Sequence, residues 1–392
     1  MIGIERCLLK FPKKCIFRCR RNISKIPTDN GKVTGKKCNE NDQNSEKDAE
    51  SSNAKKSEFK DYDCFLPDRK GDVQVCIIGG GEASIYTAVL LKQSRMIKRV
   101  HLVDARNSMA TAVLDANHID TSTRIKYFKK KSIKDALKET NIIALMDETD
   151  PNMMDSNPEA QFEAATVYTC EMAEQMVSVS PDALVAVFVR PVTVMLPMVS
   201  EIYKLAGWWD PDRIIGSTAF ERMKMEATTA NLLDLNPAFL SIPVIGGADP
   251  HTIVPLLSRA SPINRFTDAQ HDMLLQSFRG SDKEMANIES RGPILSAGAA
   301  AAKLVLTLAG GLSGFTNIVN YAYVRSNVIP GCRFFTNELH FGPGGVQKNY
   351  GLPKMSPMEI VLIEQAIPFI NEYVEMAMKT VSSHRNNKLK NI

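Results

Sequence analysis

The run Gly79-Gly80-Gly81-Glu82-Ala83-Ser84 lies between an apolar stretch and a stretch of helical spacing. Read as G-x-G-x-x-S, it is one residue away from the fingerprint of a dinucleotide-binding turn. In such a turn the first glycine allows the sharp bend and the second lets the backbone approach a pyrophosphate. The third small residue lets helix and strand pack closely. Gly79, Gly81 and Ser84 take those places, and Asp104 ends the next apolar stretch, where an acid binds the ribose hydroxyls. Arg190 adds a cation to this cofactor-binding set. Strand, glycine turn, helix and acidic strand end in that order predict cofactor chemistry more strongly than the glycines alone. The competing reading is a turn of the same shape that no longer binds. Glu82 favours it, because a carboxylate at the helix start opposes a phosphate there. The histidines are less informative. His101, His118, His271, His340 and His384 have no Cys, Asp or Glu spacing that suggests a metal, and we expect none.

A second group of residues carries a likeness to a known family. The segments are Asp115-Ala116-Asn117-His118-Ile119, Arg190-Pro191-Val192-Thr193, Pro243-Val244-Ile245-Gly246-Gly247-Ala248-Asp249-Pro250-His251-Thr252-Ile253-Val254-Pro255, and Phe334-Phe335-Thr336 leading into Gly342–Asn349. With the glycine turn, they resemble the mitochondrial-type malate dehydrogenases over about residues 73 to 381. The resemblance implies a Rossmann-type domain followed by a substrate domain, NAD as cofactor, and malate–oxaloacetate interconversion, a tricarboxylic acid cycle reaction. It also implies a homodimer or tetramer.

The same resemblance places the family's catalytic histidine at Ala248. The flanks match without a gap, so the loss is not an artefact of register. The aspartate that orients that histidine falls at Glu221. The two clamp arginines of the substrate loop fall at Asn152 and Pro158, and the third substrate arginine at Lys224. An asparagine that contacts substrate and nicotinamide becomes Arg190, and another becomes Ala165. In the family's own glycine spacing the later glycines fall at Glu82 and Ile85. The loop Glu148–Asp155 is acidic and contains no arginine. His251, three residues past Ala248, is the weak candidate for a replacement base. Arg190 is expected to pair with Glu221 as a structural ion pair, or else to bind another anion.

Two functional readings follow. In the first, the chain is a dehydrogenase relative that has lost most of the reaction and serves as a structural or hetero-oligomeric subunit, dimerising with itself or with an active family member. In the second, it is an active NAD-dependent 2-hydroxy acid oxidoreductase on malate or an altered substrate.

The chain has 392 residues and a net charge of +4, most of the excess at its two ends, so no nucleic-acid footprint is expected in the body. The eight cysteines form no CxxC pair, and five precede residue 72, which fits a reducing compartment. Residues 1–27 interleave Arg6, Lys10, Lys13, Lys14, Arg18, Arg20, Arg21 and Lys25 with apolar side chains. Glu5 is the only acid among them. Basic, amphipathic and acid-poor is the signature of a mitochondrial import segment, which predicts a matrix location. Residues 28–71 are polar and predict a disordered linker. The apolar runs read as too short and interrupted to span a bilayer.

The elements that must position these residues start at Asp72. Strands are expected at 73–78, 99–104, 125–128, 142–145 and 184–189. Helices are expected at 83–93, 108–119, 133–138, 161–179 and 194–206. This alternation predicts α/β architecture with a parallel, doubly wound sheet over 72–217. From 218 to 392 the pattern turns α+β. Helices are expected at 218–233, 268–289 and 294–312, an extended run at 239–245, and antiparallel strands at 318–328 and 331–341. A terminal helix over 358–381 opens after Ser356-Pro357. Arg385–Lys390 reads as a solvated tail.

Overall fold

The computed structural model describes residues 72–104, 109–148, 158–288 and 292–390; the expected import segment and linker, and Asn152, lie outside them. Six strands form the parallel half of one mixed sheet: β1 (Val73–Ile78), β2 (Ile97–Asp104), β3 (Arg124–Lys129), β4 (Ile142–Leu145), β5 (Leu184–Val187) and β6 (Ile214–Ser217). They line up as β3-β2-β1-β4-β5-β6. Every residue of β1, β4, β5 and β6 is buried. That is why their sequences are continuous apolar runs rather than alternating ones: helices cover both faces of a parallel sheet. Strand order reverses between β1 and β4, and the crevice outside the strand C-termini at such a reversal is the usual ligand site.

The second half continues the same sheet. β9 (Ile318–Arg325) pairs antiparallel with β6, and β10 (Phe334–Gly342) pairs with β9 and with β7 (Val244–Gly246). β11 (Gly345–Asn349) folds back on β10. β7 and β8 (Ile253–Pro255) make a hairpin whose loop holds Ala248 and Asp249. Gly246 has φ +96°, and a side chain there would collide with the Thr252 carbonyl. This is one of the few positions where glycine is required.

Helices α1 (Glu82–Lys92), α2 (Ala110–Ala116), α3 (Ile133–Leu137), α4 (Pro158–Val179) and α5 (Val192–Leu205) belong to the first half. α6 (Ala219–Leu232), α7 (Asp268–Ile288), α8 (Leu295–Leu312) and α9 (Pro357–Lys390) belong to the second. α8 is long and apolar enough to cross a membrane by length and composition, contrary to the sequence expectation. The fold uses it as a core helix. Its small residues let α1 approach so closely that a side chain at Gly298 would stand 2.9 Å from the Ala83 carbonyl, and Thr87 Oγ1 donates to the Gly298 carbonyl at 3.2 Å.

Several boundaries differ from the expected ones for local reasons. α2 stops at Ala116 because the Asn117 side chain pairs with the backbone of Ile125 on β3, giving and taking one hydrogen bond. The run 239–245 forms a strand only from Val244, with an isolated bridge between Ser241 and Ser261. α9 opens on a reciprocal capping box: Glu359 N donates to Ser356 Oγ (3.3 Å) and Ser356 N donates to Glu359 Oε2 (2.7 Å). It then runs on to Lys390, so the expected solvated tail is helix. Lys388 Nζ reaches Glu174 Oε2 on α4 at 2.7 Å.

Two buried histidines set a pH dependence. Burial holds both His101 and His271 below the usual histidine range, with the bond between His101 Nδ1 and the Ala136 carbonyl (2.7 Å) only partly opposing it in the first case. The folded state therefore keeps both rings neutral where the unfolded chain already binds protons, below about pH 6.5. Stability is then complete above that pH and falls as pH drops through it toward the folded values. We expect a lower urea midpoint at pH 5.5 than at pH 7.5, and a shallower difference in His271→Phe. Equal midpoints in the wild type would refute the assignment.

Candidate functional site

Five of the residues singled out from the sequence, Gly81, Ser84, Arg190, Glu221 and Ala248, meet at the C-terminal ends of β1, β4, β5 and β6. A cleft of about 50 Å³ there is lined by Gly81, Ser84, Asp147, Arg190, Glu221 and Ala248, among others. The glycine turn joins β1 to α1, with Gly81 as N-cap. A side chain at Gly79 would stand 2.6 Å from Ser84 Oγ, which explains why the turn needs glycine and why Ser84 must stay small. Ser84 also faces Met146, its Oγ 3.6 Å from the thioether sulfur.

The turn is closed from above by the segment that follows β4. Gly80 N donates to the Asp147 carbonyl at 3.3 Å, and a side chain at Gly80 would collide with the Glu148 carbonyl. The Asp147 carboxylate then takes three hydrogen bonds from Arg190. The backbone N donates to Oδ1 at 3.0 Å, and Nε and Nη2 donate to Oδ2 at 3.3 Å each. This ion pair ties the end of β4 to the end of β5 across the crevice. The expected partner of Arg190 was Glu221, and the structure corrects it. Glu221 instead meets Lys224 Nζ at 3.0 Å, one helical turn along α6, with both side chains largely buried. Lys224 also lies over the rings of Phe220 and Phe278.

Asp104 ends β2 as expected but is fully buried. Tyr127, on the neighbouring strand β3, hydrogen-bonds its carboxylate; burial and the nearby Asp104 raise the tyrosine pKa. Lys130 bridges Glu148 (3.3 Å) and Glu171 (3.2 Å). Burial pulls the Lys130 pKa down, but its two carboxylate partners outweigh that and leave it raised.

Ala248 is 2% exposed, and its N–H donates to Thr193 Oγ1 at 3.0 Å. The neighbouring Asp249 is committed to α5. Its two carboxylate oxygens accept the N–H groups of Val192 (3.0 Å) and Thr193 (2.9 Å), the first two residues of that helix. Burial pushes the Asp249 pKa up, against the lowering effect of those bonds and of Arg190. His251 does not join this cleft. It is exposed and lines a separate cavity beside α7 and α9. Pro158 opens α4, and Ala165 packs half-buried against the core.

Asp147, Thr193 and Tyr127 were not singled out from the sequence. Asp147 had one signal available: it begins the acidic run after a buried strand, where the chain must turn over the glycines.

A dinucleotide does not fit these residues. The Gly80 N–H and the space above it are taken by the Asp147–Glu148 backbone. Glu82 stands exposed in the first turn of α1, where a pyrophosphate would meet the helix N-terminus. Among the described residues, the one cation lining the cleft, Arg190, is already paired with Asp147. The cleft volume is also small beside the roughly 300–1,000 Å³ of typical ligand sites.

No family model matches the chain. Bovine mitochondrial malate dehydrogenase (Bos taurus) is 26% identical over 323 residues, covering 81% of this chain and 95% of the relative. The Caenorhabditis elegans mitochondrial enzyme is 27% identical over 299 residues, covering 76% and 87%. The chain is a divergent relative of the malate dehydrogenases. Its fold agrees. Malate dehydrogenase from Cryptosporidium parvum superposes with a TM-score of 0.68 at 16% identity, covering 78% of this chain and 99% of that one. Lactate dehydrogenase from the same organism, solved with lactic acid and nicotinamide adenine dinucleotide, gives 0.67, covering 78% and 98%. The malate dehydrogenase fold is thus kept, and its strand-end crevice is crossed here by the Asp147–Arg190 pair.

Proposed function

We propose that this chain is a malate-dehydrogenase-derived protein that has lost the family reaction and acts as a structural or hetero-oligomeric subunit. The observation that carries the proposal is Ala248. It stands where the resemblance puts the catalytic histidine, and no other base takes over. Asp249 beside it caps a helix, His251 lies in another cavity, and Glu221 is held by Lys224. The substrate loop carries no arginine, and Arg190, at an asparagine position of the family, neutralises Asp147 rather than facing a carboxylate ligand.

The partner in this reading is a second copy of this chain or an active malate dehydrogenase; the kept fold supports it. The cell compartment is the mitochondrion. The basic, acid-poor residues 1–27 and the mitochondrial enzymes among the relatives support that placement.

NADH fluorescence titration of the purified full chain, followed by oxaloacetate, tests the proposal. We expect no saturable binding up to millimolar NADH and no oxidation. Oxidation at a rate near that of an active relative assayed alongside would overturn it. Binding without oxidation would overturn the reading of the crevice but keep the loss of chemistry.

A further inference from the structure

A larger concave site than the cleft lies away from the crevice. A cavity of about 340 Å³ opens between the β7–β8 hairpin, α7 and α9. Its floor and walls are apolar: Ile253 from β8, Leu275 from α7, and Leu362 and Phe369 from α9. Three nitrogen-bearing side chains, His251, Arg279 and Gln365, line it too, and among the described residues no acidic side chain does. A site of this size with mainly apolar walls and a few polar groups is the usual form of a small-molecule pocket.

Three further observations bear on it. Arg279 is exposed, and among the described residues no carboxylate forms an ion pair with it. The face of α7 that carries Leu275 and Arg279 carries His271 one turn earlier, at i, i+4 and i+8 spacing. His271 is 6% exposed, and neither ring nitrogen has a hydrogen bond among the described residues. Phe369, near the middle of a long helix, is 52% exposed at this cavity, a large apolar surface left to solvent. An arginine with no described carboxylate paired to it, next to a water-facing aromatic, favours a ligand with one anionic end and an apolar body.

We propose that this cavity binds a medium-chain organic carboxylate, with the carboxylate at Arg279 and the apolar body against Leu275, Leu362 and Phe369. The site is independent of the dehydrogenase crevice, so it stands or falls separately from the lost reaction.

The test is calorimetric and ligand-observed NMR titration of the purified full chain with octanoate, with octan-1-ol and acetate as the head-less and tail-less controls. Octanoate should bind at submillimolar concentration, acetate should not bind, and octanol should bind at least about fivefold more weakly. Arg279→Gln removes the charge at an exposed position and should weaken octanoate about fivefold while leaving octanol unchanged. Gln365→Trp, also exposed and at the cavity, should block both ligands by filling it. Absence of octanoate binding at millimolar concentration would overturn the proposal. Binding that neither variant weakens would overturn it too, because the ligand would then sit elsewhere.

Discussion

Ala248→His leaves oxaloacetate reduction at least about a hundredfold below that of an active malate dehydrogenase measured alongside. A missing general base costs about 10²–10⁴ in rate. Each lost charge-assisted contact to a carboxylate costs about 1.5–3 kcal/mol. Two such contacts therefore remove about 3–6 kcal/mol, or roughly a further 10²–10⁴. The substitution can return only the first factor, and the surroundings keep it from doing even that. Position 248 is buried, its backbone N–H is held by Thr193, and the cleft it faces is about 50 Å³. The acid that would orient an imidazole, Glu221, already carries Lys224 on its carboxylate. Adding Arg190→Asn makes matters worse rather than better at the crevice, because it strips Asp147 of its cation and leaves a carboxylate beside the glycine turn. We expect the double variant to be no more active than the single one and less stable than either parent. A rate within a factor of ten of the active relative in Ala248→His alone would show that the lost histidine was the sole defect; such a rate in the double variant alone would show that Arg190 was the remaining block.

What could be read from the sequence, and what could not, follows from the range of the forces involved. The parallel half of the sheet was legible because β1, β4 and β5 are short apolar runs between helical periodicities, and burial on both faces admits little else. The start of α9 was legible because Ser356-Pro357 is a local signal, and the capping box with Glu359 lies within the same four residues. The end of α9 was not, because what holds Lys388 is Glu174, more than two hundred residues away. β8 was missed for a similar reason: three residues carry no periodicity, and its partner strand defines it.

At the site, substitutions at single positions were visible, including Ala248 in an otherwise matching segment. The rewiring they required was not. Arg190 and Glu221 are a plausible pair on paper, but β4 brings Asp147 to Arg190 and the helical turn of α6 brings Lys224 to Glu221. A charge finds the nearest complementary charge in space; for Arg190 only the strand order supplies that distance, whereas the i,i+3 spacing of Glu221 and Lys224 on the expected helix was open to reading. The glycine turn shows the same limit. Its spacing matched a nucleotide site, yet the bond from Gly80 N to the Asp147 carbonyl belongs to a segment 67 positions further along.

Asp249→Ala is expected to destabilise the fold by about 3 kcal/mol, the largest loss of any single side chain near the crevice. The carboxylate is 8% exposed and accepts two backbone N–H groups, those of Val192 and Thr193. Those groups open α5, a helix buried along most of its length, and have no intrahelical partner of their own. Losing an N-cap side chain typically costs about 0.5–2 kcal/mol on an exposed helix. Here two buried donors are orphaned at once, at about 1–3 kcal/mol each, which brings the sum to about 3 after partial relaxation. Asp249→Asn keeps the shape and one acceptor oxygen but turns an N–H donor against the other helix N–H, so it should cost about half as much. For a chain of this size, 3 kcal/mol corresponds to a fall in Tm of roughly 6 °C. Chemical denaturation of wild type, Asp249→Asn and Asp249→Ala should give midpoints in that descending order. If the alanine variant unfolded at the wild-type midpoint, the carboxylate would not be anchoring α5. The case for Asp249 as a structural residue, unavailable for proton transfer, would fall with it.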